Sequence, residues 1–252
     1  MPETDAPLKG RHALITGGGR GIGAAVAAEL AGLGASLTLA GRDEAKLKET
    51  AGPLGAETLV LDLADRDAVR EALAGFEATI LVNNAGLAPT GRVGDYKLDD
   101  WDATFAVNAT AALLAIQAVL PAMQAASWGR IVNVASTAGL IGYTHVAGYV
   151  ASKHALVGLT KAAALDLAKT AITVNAVCPG FTDTDLATTA VGNLKKAGKS
   201  EKEARAILAR RNPQGRLIDP AEVARTVGWL CLPGSGGITG QAIAIDGGEV
   251  AG

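Results

Sequence analysis

Cysteine and histidine are scarce in this chain, with two and three copies among 252 residues. Cys178 and Cys231 each follow apolar neighbours (AVC and WLC), an environment typical of a buried, inert thiol. So few thiols and imidazoles argue against a disulfide framework and against a zinc site. We therefore expect neither disulfides nor a bound metal.

A strong net charge and an unbroken apolar run are also missing. The formal net charge is −2 and no aromatic platform accompanies the basic residues, which argues against nucleic acid or an anionic membrane as a partner. The longest apolar stretch, residues 105–123, contains Asn108, Gln117 and Pro121, so a buried helix is favoured over a membrane span. Residues 1–10 (MPETDAPLKG) lack the apolar core of a secretory signal. We expect a soluble, cytoplasmic protein.

Short apolar runs alternate with longer stretches at helical spacing, such as residues 24–34 and 67–76. The apolar runs, each a predicted strand, cover residues 12–16, 36–40, 58–63, 79–84, 130–136, 172–177 and 242–246. Alternation of strand and helix over the whole length is typical of a parallel sheet with helices on both faces. The predicted fold class is α/β: a single Rossmann-like, doubly wound domain over residues 1–252 with a seven-stranded parallel sheet.

A basic segment interrupts this alternation late in the chain. Residues 189–216 carry eight basic side chains and two acidic ones, a local charge of +6. The basic residues are Lys195, Lys196, Lys199, Lys202, Arg205, Arg210, Arg211 and Arg216. Ser200 followed by Glu203 is a capping box and predicts a helix start, with an apolar stripe of Ala204, Ile207 and Leu208. We expect a substrate lid at about residues 185–216; a solvated charged helix is the alternative.

A glycine-rich loop, TGGGRGIG at residues 16–23, lies between the first predicted strand and a helix. Its spacing is Gly17-x3-Gly21-x-Gly23, in which small residues allow a tight turn and close approach of a diphosphate. The positive end of the following helix would face that anion. The loop therefore predicts nucleotide binding, with a plain turn as the alternative.

The end of the second strand, LAGRDE at residues 39–44, bears on the choice of dinucleotide. An NAD site usually has an acid here for the ribose hydroxyl, whereas an arginine accommodates a 2′-phosphate. Gly41 occupies the place of the acid and Arg42 follows it, while Asp43 is better explained as a helix N-cap. With Arg20 as a second cation in the glycine loop, NADP(H) is favoured over NAD(H).

Tyr149 and Lys153 in GYVASK lie one helical turn apart on the same face. The lysine charge could lower the pKa of the tyrosine and make it a usable proton donor near neutral pH. Ser136 ends the fifth predicted strand, and parallel strands bring their carboxyl ends to one ligand-binding edge. A hydroxyl that stabilises negative charge and a tuned tyrosine together suit reduction of a carbonyl by hydride.

The chain resembles the classical short-chain dehydrogenases/reductases from about residue 9 to its end. The ordered motifs are TGGGRGIG (16–23), LDL (61–63), NNAG (83–86), Asn108, Ser136, Tyr149-x3-Lys153, PGFTDT (179–184) and IDGG (245–248). The resemblance implies that Tyr149 is the acid/base and that Lys153 lowers its pKa and binds the nicotinamide ribose. It also implies that Ser136 polarises the substrate oxygen and that Asn108 holds a water of a proton relay. A capping role for Asn108 is the alternative.

The same resemblance implies a set of cofactor contacts. These are Gly17, Arg20, Gly21, Ile22, Gly23, Arg42, Asp62, Leu63, Asn84, Ala85, Gly86, Tyr149, Lys153, Pro179, Gly180, Thr182 and Thr184. Within this set, Asp62 matches a contact to adenine and Thr184 matches a contact to the nicotinamide side. Thr182 stands where many relatives carry an apolar residue, which leaves its contact with the cofactor open.

Residues 212–216 (NPQGR) and 219–224 (DPAEVA) are similar to lids of family members that act on 3-oxoacyl thioesters. The resemblance therefore implies reduction of a 3-oxoacyl-CoA or 3-oxoacyl-carrier-protein, or the reverse oxidation of a 3-hydroxyacyl-CoA. One alternative is a free ketone or alcohol of cyclic, sugar or aromatic type. Another is a catalytically silent regulator that senses dinucleotides. The family also implies a homotetramer.

Overall fold

All seven predicted strands are present in the structure, a computed structural model that describes residues 6–251. They are β1 (His12–Thr16), β2 (Ser36–Gly41), β3 (Glu57–Val60), β4 (Ile80–Asn83), β5 (Gly129–Val134), β6 (Ile172–Pro179) and β7 (Ala242–Ile245). They pair in parallel in the order β3-β2-β1-β4-β5-β6-β7. The order reverses between β1 and β4, which is where a doubly wound sheet binds its ligand.

Helices cover both faces of this sheet, so the predicted fold class is confirmed. They are α1 (Gly21–Gly32), α2 (Glu44–Leu54), α3 (Arg66–Ala72), α4 (Leu98–Phe105), α5 (Ala111–Ala125), α6 (Ala147–Asp166), α7 (Asp185–Lys196), α8 (Glu201–Ala209) and α9 (Pro220–Cys231). One apolar cluster holds α1, α2 and α9 against the sheet, and a second holds α3, α5 and α6 against the other face. Because β4, β5 and β6 are buried along their whole length, their sequences are apolar runs rather than alternating patterns.

The apolar stretch singled out in the sequence is one continuous helix from Leu98 to Ala125. Its α4 and α5 parts are joined by a π-helical turn, Ala106–Thr110, a type of turn that is frequent at functional sites. By length and composition alone it could cross a membrane, but 56% of its most apolar window is buried in the molecule. Ala115, Ile116 and Val119 pack into the core, which is typical of a core helix.

Two predicted helix caps are confirmed. The Asp43 carboxylate accepts a hydrogen bond of 3.1 Å from the Lys46 amide at the start of α2. Ser200 and Glu203 form the reciprocal bonds of a capping box at the start of α8. Both cysteines are buried and unpaired, as expected.

The basic segment forms a helical hairpin, α7 and α8, which follows β6. Ala204 and Leu208 of α8 are buried against Ala187 and Val191 of α7. Ile207, predicted to belong to the apolar stripe, is 37% exposed instead. The stripe is narrower than predicted because the hairpin buries only the inner face of a short helix.

Candidate active site

The glycine loop has the geometry of a diphosphate cradle. Gly17 and Gly21 have φ of +66° and +54°, a conformation that side chains disfavour. A Cβ on Gly23 would overlap the carbonyl oxygen of Gly17, so α1 starts as close to the loop as backbone allows. Arg20 stands at the N-cap without a side-chain cap and no acid lies in the first turn. The positive end of α1 is therefore available to an anion.

The NNAG segment is bound directly to this loop. Asn84 Nδ2 donates bonds of 3.0 Å to the carbonyls of Thr16 and Gly17, while the Thr16 hydroxyl accepts from the amides of Asn84 and Ala85. A Cβ on Gly86 would lie 3.5 Å from Asn108 Oδ1 and 3.6 Å from Lys153 Nζ. Asn84, Ala85 and Gly86 thus form a floor that runs from the glycine loop to the buried lysine.

The side chains expected around adenine and a 2′-phosphate lie at one end of this floor. Gly41 ends β2 and Arg42 follows it, exposed. Arg20 is also exposed and forms an ion pair of 3.3 Å with Asp185 at the start of α7. Asp62 and Leu63 lie beyond β3, which ends at Val60 rather than at residue 63 as predicted. The exposed Asp62 accepts from the Ala64 amide at 3.0 Å, whereas Leu63 is buried.

The remaining expected contacts border the same groove. Ile22 is partly buried against the core of the α1 face. The methyl group of Thr184 would lie 3.1 Å from a Cβ on Gly21, so this threonine faces the glycine loop. Pro179 is the last residue of β6, and Gly180 follows at the carboxyl edge. Thr182 is buried and donates 3.0 Å to the Gly180 carbonyl, so its hydroxyl is engaged by its own loop.

Tyr149 and Lys153 share one face of α6, and Lys153 Nζ lies 5.7 Å from the centre of the Tyr149 ring. The lysine is 3% exposed and donates a bond of 2.7 Å to the Val134 carbonyl at the end of β5. Burial lowers the pKa of Lys153 to about 8. Its neighbours include no carboxylate that would offset the desolvation of an ammonium.

The lowering of the Tyr149 pKa by Lys153, which the resemblance implies, stays a prediction. Burial raises the pKa of Tyr149, and only the neighbouring Ser136 hydroxyl acts in the opposite direction by hydrogen bonding. The ammonium is drawn to the Val134 carbonyl instead of the phenol oxygen. Tyr149 and Lys153 therefore share one face of α6, and Ser136 is the group that opposes the rise in the Tyr149 pKa.

Ser136 lies two residues beyond β5 and starts a short 3-10 turn. Its oxygen accepts a bond of 3.1 Å from the Ala138 amide, and its hydroxyl points towards the Pro179 carbonyl at 3.5 Å. The latter distance is at the weak end for a hydrogen bond, so the hydroxyl can turn to a new acceptor. Ser136 thus meets Tyr149 at the carboxyl edge of the sheet, as the strand pattern predicted.

Asn108 lies in the π-helical turn and is 1% exposed. Its Oδ1 accepts 2.8 Å from the Leu87 amide, and its Nδ2 donates 2.9 Å to both the Leu87 carbonyl and the Ser152 hydroxyl. The alternative role, in which Asn108 caps a helix, is wrong, because its side chain bonds to Leu87 in the loop after β4 and to Ser152 on α6. Ser152 in turn donates 2.9 Å to the Tyr149 carbonyl.

A family model described as short chain dehydrogenase matches residues 11–194. The chain belongs to the short-chain dehydrogenase family. Accordingly, it is an NAD(P)-dependent oxidoreductase that acts on CH–OH groups.

Relatives of this short-chain dehydrogenase span nearly its whole length. D-beta-hydroxybutyrate dehydrogenase from Cupriavidus necator is 36% identical over 97% of this chain and 99% of its own. The 3-oxoacyl-(acyl-carrier-protein) reductase from Pseudomonas aeruginosa is 36% identical over 96% and 98%. A crystal structure of an actinorhodin polyketide ketoreductase variant with NADPH superposes with a TM-score of 0.90 at 34% identity, over 98% and 99% of the two chains.

Sequence reasoning missed several polar residues of this short-chain dehydrogenase. Ser152 could have been found, because it lies inside the YVASK motif next to Lys153. Tyr143 could not have been found in this way. Its hydroxyl forms hydrogen bonds with Thr137 at 2.6 Å and with Glu249 at 2.7 Å, and Glu249 is 106 residues away along the chain. No local pattern relates residues so far apart.

Proposed function

We propose that this short-chain dehydrogenase uses NADP(H) to reduce 3-oxoacyl thioesters of coenzyme A or a carrier protein, or to run the reverse oxidation. The supporting observation is the network around Gly86, in which Asn108, Ser152 and Lys153 surround the helix turn that bears Tyr149. Ser136 lies on the other side of Tyr149. Such an arrangement can deliver and replace a proton at Tyr149, which catalysis of carbonyl reduction requires and a catalytically silent dinucleotide sensor does not.

Four residues have a defined task in the proposed carbonyl reduction, namely Asn108, Ser136, Tyr149 and Lys153. When bound, the dihydronicotinamide supplies a hydride to the carbonyl carbon. The Ser136 hydroxyl turns from the Pro179 carbonyl and donates to the substrate oxygen, on which negative charge develops. Tyr149 gives its proton to the same oxygen, so the alcohol forms without a free alkoxide. A neutral phenol before the step agrees with the raised pKa of Tyr149.

Lys153 restores the proton of Tyr149 after the step, and Asn108 holds the backbone beside the lysine in place. Lys153, whose pKa of about 8 lies near working pH, holds the proton that replaces the one given away. The Asn108 side chain forms hydrogen bonds with Leu87 and Ser152, and these bonds fix the π-helical turn beside Lys153. The absence of a side chain at Gly86 leaves room next to both groups.

The groove suits NADP(H) better than NAD(H). No acid stands at Gly41, and Arg42 is exposed beside it. Arg20 can leave an exposed ion pair with Asp185 at little cost, since such pairs contribute ~0–1 kcal/mol. The NADPH of the related ketoreductase structure supports the same choice.

Thioester substrates are supported by the basic face of the proposed lid at residues 185–216. Lys196, Lys199, Lys202 and Arg210 are exposed and have no ion pair within residues 6–251. These cations could attract the phosphates of coenzyme A or an acidic carrier. The name of the Pseudomonas aeruginosa relative agrees with this substrate class.

A second candidate is a free hydroxy acid or ketone. The Cupriavidus necator relative is named for a free hydroxy acid and is equally similar in sequence. Binding of a free hydroxy acid or ketone does not require the basic face of the proposed lid. The two candidates therefore differ in whether the lid charges affect substrate binding.

Steady-state oxidation of NADPH at 340 nm separates the candidates. Acetoacetyl-CoA, acetoacetate and cyclohexanone are compared in the wild type and in a Lys196→Glu/Lys199→Glu variant, with Lys9→Glu as a control on a distant exposed site. We expect the double variant to raise KM for acetoacetyl-CoA about tenfold at low salt and to leave the small ketone unchanged. Turnover of the free substrates alone would contradict the thioester proposal.

We also propose the homotetramer that the family implies. Leu165 on α6 is 78% exposed, and Leu113 on α5 and Trp229 on α9 are 39% and 46% exposed. Apolar side chains at these positions would be covered by other copies of the chain. Light scattering checks the mass, with Leu165→Lys expected to shift it towards smaller species. Cytoplasmic location stays a prediction.

A further inference from the structure

A polar cluster outside the proposed proton relay surrounds the hydroxyl of Tyr143. The hydroxyl lies 2.6 Å from the Thr137 oxygen and donates to Glu249 Oε1 at 2.7 Å. Burial raises the pKa of Tyr143 to about 12, so the phenol remains a donor at any working pH. Its ring meets Phe181 edge-on, at 6.1 Å between ring centres.

Glu249 belongs to the tail after β7 and is buried. Its side chain is 6% exposed, and Arg211, the nearest cation, approaches Oε1 only to 3.7 Å. Its second oxygen, Oε2, has no hydrogen-bond donor within residues 6–251. A buried carboxylate with one unpaired oxygen costs folding free energy, so packing alone gives no reason for an acid here.

Arg211 connects this cluster to the end of α8. Its guanidinium carbon lies 4.5 Å from the centre of the Tyr143 ring, within cation–π range, and its Nη1 faces the Glu249 carboxylate. The tail is itself fixed by Asp246, whose carboxylate accepts from the Gly248 and Val250 amides at 2.9 and 2.8 Å. Glu249 is therefore presented from a rigid turn.

The loop held by Tyr143 connects Ser136 to Tyr149. Its far end is fixed by a bond of 2.8 Å from the Gly91 amide to the His145 carbonyl. Within the described chain, Tyr143 makes the only side-chain hydrogen bonds of residues 140–146. Apart from backbone bonds, the span between Ser136 and α6 is thus held by one tyrosine and by the Glu249 carboxylate that accepts its hydrogen bond.

We propose that Glu249 is a positioning residue, which acts through Tyr143 to set the placement of Ser136 relative to Tyr149. The inference rests on the proposed roles of Ser136 and Tyr149 in the reaction. Arg211 contacts both residues of this pair, through the Tyr143 ring and the Glu249 carboxylate. Neither Glu249 nor Tyr143 needs to touch the reacting atoms.

Hydrogen exchange of the purified chain tests the structural half of this proposal without any substrate. Glu249→Ala and Tyr143→Phe are compared with the wild type, and Glu71→Gln on the exposed face of α3 is the control for a lost charge. We expect amides of residues 137–146 to exchange about tenfold faster in both variants, with α1 and the sheet unchanged. Unchanged exchange in the loop, or an equal increase everywhere, would overturn the proposal.

Kinetics test the functional half. Glu249→Ala and Tyr143→Phe should each lower kcat for acetoacetyl-CoA about tenfold, which is the effect expected from the loss of one charge-assisted hydrogen bond. KM for NADPH should stay within about twofold, because that bond is distant from the cofactor. Glu249→Gln keeps an acceptor for Tyr143, so it should retain more activity than Glu249→Ala with an equal or higher Tm.

A double variant decides whether the two residues act through one bond. The kcat of Tyr143→Phe/Glu249→Ala should be no lower than that of the less active single variant. If the effects of the two single substitutions on kcat multiply in the double variant, Glu249 does not act through Tyr143. If the wild type turns over no carbonyl while the loop exchanges as expected, the proposed function fails and the loop anchor stands.

Discussion

The side-chain amide of Asn108 donates a hydrogen bond of 2.9 Å to the hydroxyl of Ser152. This bond joins the π-helical turn between α4 and α5 to α6, the helix that carries Tyr149 and Lys153. Since Ser152 passes the connection on to the Tyr149 carbonyl, the turn and the tyrosine form one rigid unit. Asn108 and Ser152 are buried, so the bond between them affects stability as well as geometry.

Replacing Asn108 should therefore destabilise the fold measurably. Asn108→Ala leaves the Leu87 amide and carbonyl without their partner and removes the donor to the Ser152 hydroxyl, and we expect the free energy of unfolding to fall by ~2–3 kcal/mol. Ser152→Ala should cost ~1 kcal/mol. Denaturant titration measures both, with Gln117→Ala on the exposed face of α5 as the control. Equal midpoints for Asn108→Ala and the control would refute this role.

The lowered pKa of Lys153 predicts a pH dependence of stability. The folded chain holds this proton with a pKa of about 8, against about 10.5 in the unfolded chain. Because the unfolded state binds the proton more tightly, the charged lysine destabilises the fold below pH 8, and this penalty is relieved between about pH 8 and 10.5. The wild type should gain up to ~1.4 kcal/mol per pH unit relative to Lys153→Met in that window.

The comparison with Lys153→Met is needed because other groups titrate there in the opposite sense. Burial raises the pKa of Cys178 to about 11 and that of Cys231 to about 12. Both thiols lower stability as the pH rises above about 9; Cys231 does so alike in the two proteins, whereas the pKa of Cys178 is itself lowered by Lys153. Parallel stability curves for the two proteins from pH 7 to 10 would show that Lys153 keeps its ordinary pKa.

Most of the fold was predictable from sequence because its signals are local. Seven apolar runs separated by helical spacing specify a parallel sheet, and a glycine loop between a strand and a helix is visible in eight consecutive letters. Ser136 and Tyr149 were also found, since parallel strands deliver their carboxyl ends to one edge. The surroundings of the phenol and the ammonium could not be predicted, because the burial of Tyr149 and the bond from Lys153 to the Val134 carbonyl depend on the packing of α6 against β5.

Packing around Gly23 predicts a sharp contrast between two glycines of α1. Gly23→Ala forces a methyl group onto the Gly17 carbonyl and should weaken NADPH binding about tenfold or more, because the diphosphate cradle opens. Gly32→Ala meets nothing within 4 Å and should stabilise the helix by ~0.5–1 kcal/mol. Fluorescence titration with NADPH and thermal melts measure the two effects. Similar NADPH affinities for both variants would argue against the cradle.

Cofactor preference should be reversible at the end of β2. A Cβ on Gly41 would lie 3.6 Å from Leu47, an ordinary contact, so Gly41→Asp can be built without strain. A carboxylate there repels a 2′-phosphate and binds a ribose hydroxyl, and we expect the ratio of kcat/KM for NADPH over NADH to fall about tenfold or more. Gly52→Asp adds the same charge to exposed α2 and should leave the ratio unchanged. An unaltered ratio in Gly41→Asp would place the phosphate elsewhere.

Tyr149→Phe tests the central claim most directly, because it removes one oxygen from the proposed proton donor. NADPH oxidation is followed at 340 nm with acetoacetyl-CoA, and NADPH affinity is measured separately by fluorescence. We expect kcat to fall by about 10³-fold or more at unchanged NADPH affinity, since general acid catalysis contributes about 10²–10⁴-fold. Turnover within a few-fold of the wild type would contradict the assignment of Tyr149 as the proton donor.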